Sequence, residues 1–594
     1  MDSQNQRNMI LAIVLTALIL FGWDAGMRYL YPNAHKAQPA AAASASASPA
    51  AGAGASAAPT HSRDGGLTSP ADQALETKDL KTALASGARV PIQAPGLSGS
   101  INLAGAVVDD LVTNRHTATV EKDSGPQRVY SPAGTPAQQF AQFGWVGQNV
   151  ALPNMGTLWT APAGARLTPQ TPVTLSWTNG AGLNFALTYH IDADYMITVT
   201  QTVSNVGGAP VAVQPFALIN RTDRTMSTDI WNLHSGPFGA FDGKVQFEPN
   251  YSDLAETGQI AATGKTDWVG FTDIYWMSTL IPDRQDAAAT FRSMGNQTFR
   301  ADMLYPVAAI APGKQWARTT RLFAGAKESK VLDAYEASGI TNFSLAIDWG
   351  WFRWFEKPIL LLLKSLFSAV DNFGVAIMLL TVIVRGVMFP IAQRQFASMA
   401  AMKAIQPKMK AIQDRYKDDK PKQQEEIMAL YKKEGVNPLA GCLPIFLQIP
   451  VFFALYKVLT LAIEMRHQPF VLWIKDLSAP DPLHVLNLFG LLPFTPPAFL
   501  AIGILAILLG ITMWLQFKLN PAQMDPVQQQ MFAIMPWMMM FIMAPFAAGL
   551  LIYWITSNVL AIAQQAYLYH KNPALKAQAD KDAADFKRKQ ERGK

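Results

Sequence analysis

The sequence predicts an α-helical polytopic membrane protein, with six transmembrane helices and a large antiparallel β-sandwich on one side of the bilayer. Three observations predict it. Half of the 594 residues are apolar and only 15% are charged, against about 25% in ordinary soluble domains. The apolar surplus lies at the two ends of the chain, in runs long enough to span hydrocarbon. Between them, from about 80 to 340, the texture is that of strands: period-two alternation broken by Gly and Pro.

The first apolar run is "MILAIVLTALILFGW", residues 9–23, preceded by Arg7. Its length also suits the apolar region of a signal peptide. No small-x-small cleavage site follows it closely, and the aromatics of "DAGMRYLYP" suit a membrane interface. We read residues 1–31 as an uncleaved transmembrane anchor. Residues 32–79 are rich in Ala, Ser and Pro and form a flexible linker with nothing to bury.

Residues 80–345 form the β-sandwich. In "YMITVTQTV", Tyr195, Ile197, Val199 and Val203 share one parity, and Thr198, Thr200 and Thr202 the other. That alternation describes a half-buried strand. "LSWTNGAGLNFALTYHI" reads as two strands around the Asn179-Gly180 turn. Cys442 is the only cysteine, so no intramolecular disulfide braces this domain.

Residues 346–371 contain "WGWFRWFEKPILLLLKSLFSAV", an amphipathic helix suited to the membrane interface. The helical core follows over 372–570. Within it, 397–436 is a helical hairpin. Met402, Ile405, Met409, Ile412 and Tyr416 form one helix face, "DDKP" breaks the helix, and Ile427, Leu430 and Tyr431 begin a second face ending at Gly435. A span begins near Asn372 and contains Arg385; further spans are expected at 439–463, near 497–517, near 529–545 and at 549–569, with 483–495 a partly inserted segment before the 497–517 span. Residues 571–594 are a basic tail.

Charge decides the count. Residues 397–438 carry nine Lys/Arg and six Asp/Glu, and the tail after His570 carries eight and four. The positive-inside rule places both in the cytoplasm. Six spans achieve this and leave the β-sandwich and the connection "MRHQPFVLWIKDLSAPDP" outside. Splitting 483–517 into two spans would strand the basic tail on the wrong side.

Among chemical signals, Arg385 stands apart. It lies in "TVIVRGVMFP", a little past the middle of the apolar run Val375–Ala392, where a cation costs about 2.5–3.5 kcal/mol on insertion scales. No acid within a span can pair with it, so it points to a wet cavity open to one side, with Thr381 lining it one turn earlier. Lys457 lies nearer the outer boundary and can snorkel. Gln448, Ser557 and Asn558 either line the cavity or bridge helices. Six methionines in "MFAIMPWMMMFIM", including Met531, Met535 and Met538, suit either adaptable contact with apolar partners or lipid-facing filler. No catalytic constellation, P-loop, HExxH or metal-ligand spacing is present, and no cofactor is expected.

Five stretches, "TVIVRGVMFP", "QPKMKAIQDRYKDDK", "VNPLAGCLPIFLQIPVFFALYKVL", "LWIKDLSAPDP" and "GLLIYWITSN", occur in this order. With them the chain resembles the YidC/Oxa family of membrane protein insertases, in its Gram-negative bacterial form. The resemblance implies a five-helix insertase core enclosing a hydrophilic groove open to the cytoplasm and lipid. Arg385, Thr381, Gln448, Trp554 and Asn558 would form that groove, and Met531, Met535 and Met538 an apolar substrate-contacting surface. The cytoplasmic hairpin, with Lys403, Lys408, Lys410 and Arg415, would receive substrate, and the β-sandwich would be periplasmic. Implied partners are nascent membrane proteins, the Sec translocon, translating ribosomes reached through the hairpin and basic tail, and membrane lipids. Trp554 departs from the tyrosine that the family often carries. A transporter or channel for small anions is the alternative: it shares the cavity cation, but the chain lacks an evident repeat and its large hairpin ill suits conduction.

Overall fold

The computed structural model of the chain describes residues 80–227, 233–350, 353–393, 405, 408–409, 411–417, 419–435, 443–489, 491–492, 501–519 and 526–571. The expected anchor, the linker, Lys403, Lys410, the Met531 side chain and the tail beyond Lys571 lie outside the described residues. The chain divides into two compact units, one of residues 1–58 and 521–535, the other of 59–520 and 536–594. The architecture below is that of the second.

Two antiparallel sheets of ten and eight strands form the β-domain. The smaller sheet runs, neighbour to neighbour, Val173–Thr178, Leu183–Ile191, Met196–Asn205, Gln315–Ala326, Trp276–Pro282, Thr266–Thr272, Gly236–Phe241 and Lys244–Gln246. The connection after Thr178 opens on the expected Asn-Gly pair. Asn179 Oδ1 accepts from the amides of Ala181 and Leu183 at 2.8 and 3.0 Å, and Gly180 and Gly182 take the left-handed φ values of +71° and +90° that the turn needs. In Met196–Asn205 the alternation holds, and Ile197, Val199 and Val203 are fully buried. Gln201 falls on that apolar parity and is also fully buried. Its amide donates to the carbonyls of Gly144 and Phe216 at 2.8 and 3.3 Å, bonding one sheet to the other.

Helix α1 (Ser329–Ala337) closes the β-domain, and α2 (Arg353–Val370) follows. Glu356, Ile359, Leu360 and Leu363 form the buried stripe of α2, while Trp354 and Leu361 are exposed. This stripe packs on α3 (Phe373–Val387) and α5 (Leu443–Leu461), with the hairpin helix α4 (Lys420–Glu434) between them in sequence. Helix α6 (Ile504–Leu519), then α7 (Pro526–Met543) and α8 (Ala548–Lys571), complete the helices, α8 packing on α3, α5 and α6. Gly510 admits α7 closely: a Cβ there would lie 3.4 Å from Met540 Cβ.

One expectation is corrected. The span placed near 497–517 starts as a helix only at Ile504, where Asp481 caps the helix start. Helix α3 ends at Val387; Met388, in a turn whose amide still bonds the Val384 carbonyl, separates it from a further helical stretch at 389–393. Arg385 thus occupies the last turn of α3, where a cation favours the negative end of the helix dipole. Among the described residues, no helix is long and apolar enough to cross a membrane by itself.

The connection 463–483 ties the helix ends together. Asn372 caps α3 by accepting from the Val375 amide at 3.1 Å and donates to the Phe470 carbonyl at 3.1 Å. Asp481 Oδ2 accepts from the Leu505 amide of α6 at 2.9 Å. The first amides of α8, those of Ala548 and Gly549, donate to the carbonyls of Ala479 and Leu477 at 2.8 and 2.9 Å. Helix starts otherwise leave amides without partners.

The same connection holds the β-domain. Arg466 donates to the carbonyls of Thr117 and Ala118 at 2.8 and 3.1 Å and to Gln127 Oε1 at 3.2 Å, and its guanidinium lies 5.3 Å from the Trp276 ring. Glu464 accepts from Ser329 of α1 at 2.6 Å and Lys364 of α2 at 3.1 Å. Lys457, read from the sequence as snorkelling, sends its ammonium to the Asp348 carbonyl at 2.9 Å. Burial pushes the nearby Glu356 carboxyl up to about 7, with Lys457 opposing the shift and Asp348 adding to it.

Two outcomes follow from this junction. Arg466→Ala removes charged donors from two backbone carbonyls and should destabilise the junction by about 2–3 kcal/mol, read as a lowered Tm and faster proteolysis between β-domain and helices; Arg466→Lys, lacking the fork, should recover only part. Glu356 holds its proton more tightly folded than unfolded. Its contribution is therefore greatest below the ordinary glutamate range and declines as pH rises to about 7. Glu356→Gln should flatten that decline in thermal unfolding measured across this window.

Candidate functional site

Helix α8 carries Tyr553, Ser557, Asn558 and Gln564 among the polar residues of a mainly apolar sequence. Spacings of four and seven put Tyr553, Ser557 and Gln564 along one stripe. Two of them reach Arg385 and the third reaches α5. Ser557 Oγ accepts from Arg385 of α3 twice, from Nε at 3.0 Å and Nη2 at 2.6 Å. Gln564 Nε2 lies 3.5 Å from the Arg385 carbonyl. The Tyr553 hydroxyl is bonded to Gln448 Nε2 of α5. Asn558, turned to the neighbouring face, donates to Thr512 Oγ1 of α6 at 3.1 Å.

The structure places the expected groove residues on α3, α5 and α8, and the contacts described for each are with residues outside the expected set. Arg385 is partly exposed. Among the described residues no carboxylate pairs with it, and its side-chain partner is a neutral hydroxyl. Gln448 and Asn558, and with them Ser557, bridge helices. Thr381 is buried, and its hydroxyl donates to the Ile377 carbonyl of its own helix at 2.7 Å. Back-bonding of this kind uses the hydroxyl locally and leaves Thr381 a packing residue of α3. Trp554 is half-buried, edge-on to Phe452 with ring centroids 5.3 Å apart.

Of the methionines, Met538 is exposed beside Trp537, Phe541 and Ile542, and Met535 is partly buried. In the hairpin, Ile405 and Leu430 are buried against each other, with Met409, Ile412 and Tyr431 packed around them. These are the two apolar faces expected there. Asp419 caps α4 through the Lys422 amide at 3.2 Å, and Gly435 ends it at φ +64°. Lys408 forms an exposed ion pair with Glu434 at 2.8 Å, and Arg415 is exposed. Among the described residues no group of three His, Cys, Asp or Glu is placed to hold a metal ion.

Sequence reasoning left Tyr553, Thr512 and Gln564 out of the site and named Ser557 only as a span polar group. The missed signal is the stripe itself, since polar side chains four and seven apart on an apolar helix mark a face turned toward other polar groups.

The described chain thus joins a sandwich of antiparallel sheets to apolar helices that are cross-linked by polar side chains. Two family models match in tandem: the YidC periplasmic domain over residues 89–362 and the 60Kd inner membrane protein over 365–576. The membrane protein insertase YidC of Zymomonas mobilis subsp. mobilis is 43% identical over 591 residues, covering 98% of each chain. That of Bradyrhizobium diazoefficiens is 42% identical over 613 residues, covering 98% of this chain and 99% of the relative. A crystal structure of an active YidC insertase with its first transmembrane domain resolved aligns over 84% of this chain and 98% of its own, at 17% identity and a TM-score of 0.35. The chain belongs to the YidC family of inner-membrane insertases, which is not a family of enzymes.

If Ser557 orients Arg385, Ser557→Ala should cost about 1–2 kcal/mol of stability by leaving buried N–H donors unpaired. In a double-mutant cycle, Ser557→Ala and Arg385→Ala should couple, whereas Ser557→Ala and Asn558→Ala, whose partners differ, should be nearly additive. Thermal unfolding of the three single and two double variants in detergent checks this.

Proposed function

We propose that the chain inserts newly made proteins into a bacterial inner membrane and helps them fold, alone or with the Sec translocon. Arg385 transiently holds an acidic or polar segment of the substrate in a hydrophilic groove. The observation that carries this reading is the pairing of Arg385 with a neutral hydroxyl, which orients the guanidinium without neutralising it. At an effective dielectric of about 20, a charge pair at 4 Å is worth roughly 4 kcal/mol, and less in a wet groove. That offsets part of the substrate's desolvation without trapping it. Outward movement of an acid through a membrane that is negative inside gains about 2.3 kcal/mol per charge per 100 mV. Partitioning of the substrate's apolar segment into lipid supplies the larger contribution, and no ATP hydrolysis is invoked.

In this reading the chain crosses the membrane six times. Residues 1–31 are the anchor, 32–79 the linker, 80–345 the periplasmic domain, 346–371 the interfacial helix and 372–570 the insertase core. Both termini are cytoplasmic. Hairpin 397–436 and tail 571–594 meet the translating ribosome or anionic lipid, and Met535 and Met538 offer substrate a soft apolar surface.

The test is insertion of a short single-span protein with an acidic outer tail into vesicles holding the purified chain. Arg385→Lys should retain insertion, and Arg385→Ala should reduce it about tenfold or more, the equivalent of some 1.4 kcal/mol of lost attraction. Equal insertion by Arg385→Ala and the parent chain would remove the electrostatic step.

A further inference from the structure

Two strands of chain, at 484–485 and 502–503, meet in a narrow neck beside the start of α6. His484 and Gly503 form an antiparallel bridge, and the Val485 amide donates to the Ile502 carbonyl at 3.1 Å. Below the neck, Asp481 Oδ1 accepts from the Leu483 amide and from Trp473 Nε1, each at 3.0 Å, while Oδ2 caps α6. Gly503 fits so closely that a Cβ there would lie 2.6 Å from Asp481 Cβ. Above it the chain is folded on itself. The amides of Leu488, Phe489 and Leu492 donate to the carbonyls of Val485, His484 and Asn487 at 3.0, 2.8 and 3.0 Å.

The tip is apolar and faces outward. Leu486, Leu488, Phe489 and Leu492 are exposed, and Leu491 is 81% exposed. In the adjoining turn Leu472 is 86% exposed. Leu472, Leu488 and Phe489 all take left-handed φ, of +56°, +50° and +61°, a conformation that large side chains rarely adopt unless the surrounding structure over-determines it. Leucines exposed in this way to water are a liability.

We propose that this tip is a lipid wedge. It sits among the acyl chains of the outer leaflet and fixes the outer end of α6 against the bilayer. Three observations favour lipid over a protein partner. No Lys, Arg, Asp or Glu occurs between Asp481 and Lys518, so the tip has no charged rim of the kind that gives protein interfaces their register. The tip is continuous in sequence with α6, itself apolar from Ile504 to Phe517 apart from Thr512 and Gln516. Trp473 and Lys475 lie in the same connection, residue types that mark a membrane interface, and Lys475 is exposed. This tryptophan and lysine thus sit at headgroup level, and the leucines reach past them. The inference rests on the reading of α6 as a membrane-spanning helix.

Fluorophore quenching in vesicles tests it. The full chain, with Cys442→Ser, receives one labelled cysteine at a time: Leu491→Cys at the tip, Ile511→Cys on the exposed side of α6, or Val206→Cys on the β-domain. The vesicles contain phosphatidylcholine and phosphatidylglycerol, with spin-labelled lipid carrying its quencher either near the headgroup or deep in the acyl chain. The wedge predicts that the tip label loses most of its fluorescence to the shallow quencher. The α6 label should lose most to the deep one, and the β-domain label should be unaffected. A tip label untouched by both quenchers while the α6 label is quenched overturns the wedge and leaves the spanning helix standing; the tip then faces a protein or a second copy of the chain. If neither label is quenched, the spanning reading fails and takes the wedge with it.

Discussion

The constraint on which the structure depends is that the first amides of three apolar helices need partners where water is scarce. Each unsatisfied backbone group in a low-dielectric setting costs several kcal/mol on the order of transfer values. One segment, 463–483, meets that need directly for α6 and α8, through the Asp481 carboxylate and the Leu477 and Ala479 carbonyls, and for α3 it holds the capping Asn372 side chain through the Phe470 carbonyl. Because the same segment also sends Arg466 into the β-domain, the helix starts and the sandwich share one support. The β-domain is therefore seated by hydrogen bonding to a connection that the helices already require.

Helix α8 is the second organising element, and it works by neutral polar pairs. Interhelical pairs in membranes are worth about 0.6 kcal/mol on average and up to about 2, so Tyr553–Gln448 and Asn558–Thr512 fix geometry more than they add stability. Arg385–Ser557 has a different character. A hydroxyl can orient a guanidinium, but it leaves the positive charge uncompensated. A carboxylate at 557 would have made a stronger bridge and a chemically silent one. The position of Arg385 in the last turn of α3 adds favourable helix-dipole interaction without cancelling that charge.

Much of the β-domain was legible because strands write their burial at period two. Met196–Asn205 reads directly, and so does the turn at Asn179-Gly180. Gln201 shows the limit: its parity says inward, yet only the opposing carbonyls of Gly144 and Phe216 explain why an amide is tolerated there. The hairpin was equally legible, since Ile405, Met409 and Ile412 against Leu430 and Tyr431 follow helical spacing, and Asp419 and Gly435 carry the start and stop signals. The turn at Met388 had its signal too: the run stays apolar to Ala392, but Pro390, two residues on, has no amide to give the Gly386 carbonyl and disfavours helix just before it.

The sequence by itself determined the class of protein, the two-sheet domain, the hairpin and the arginine that does not belong in an apolar run. These are local or compositional properties, written in spacing and charge along a few consecutive residues. Only the tertiary structure decided that Arg385 meets Ser557, 172 residues away, that Thr381 bonds its hydroxyl to its own helix, and that a loop between two apolar helices caps two of them and holds the capping side chain of a third. Such pairings depend on which helix faces come together, and that is set by packing across the whole core. A hydroxyl four residues after a tyrosine has the same local pattern whether it faces lipid or a guanidinium.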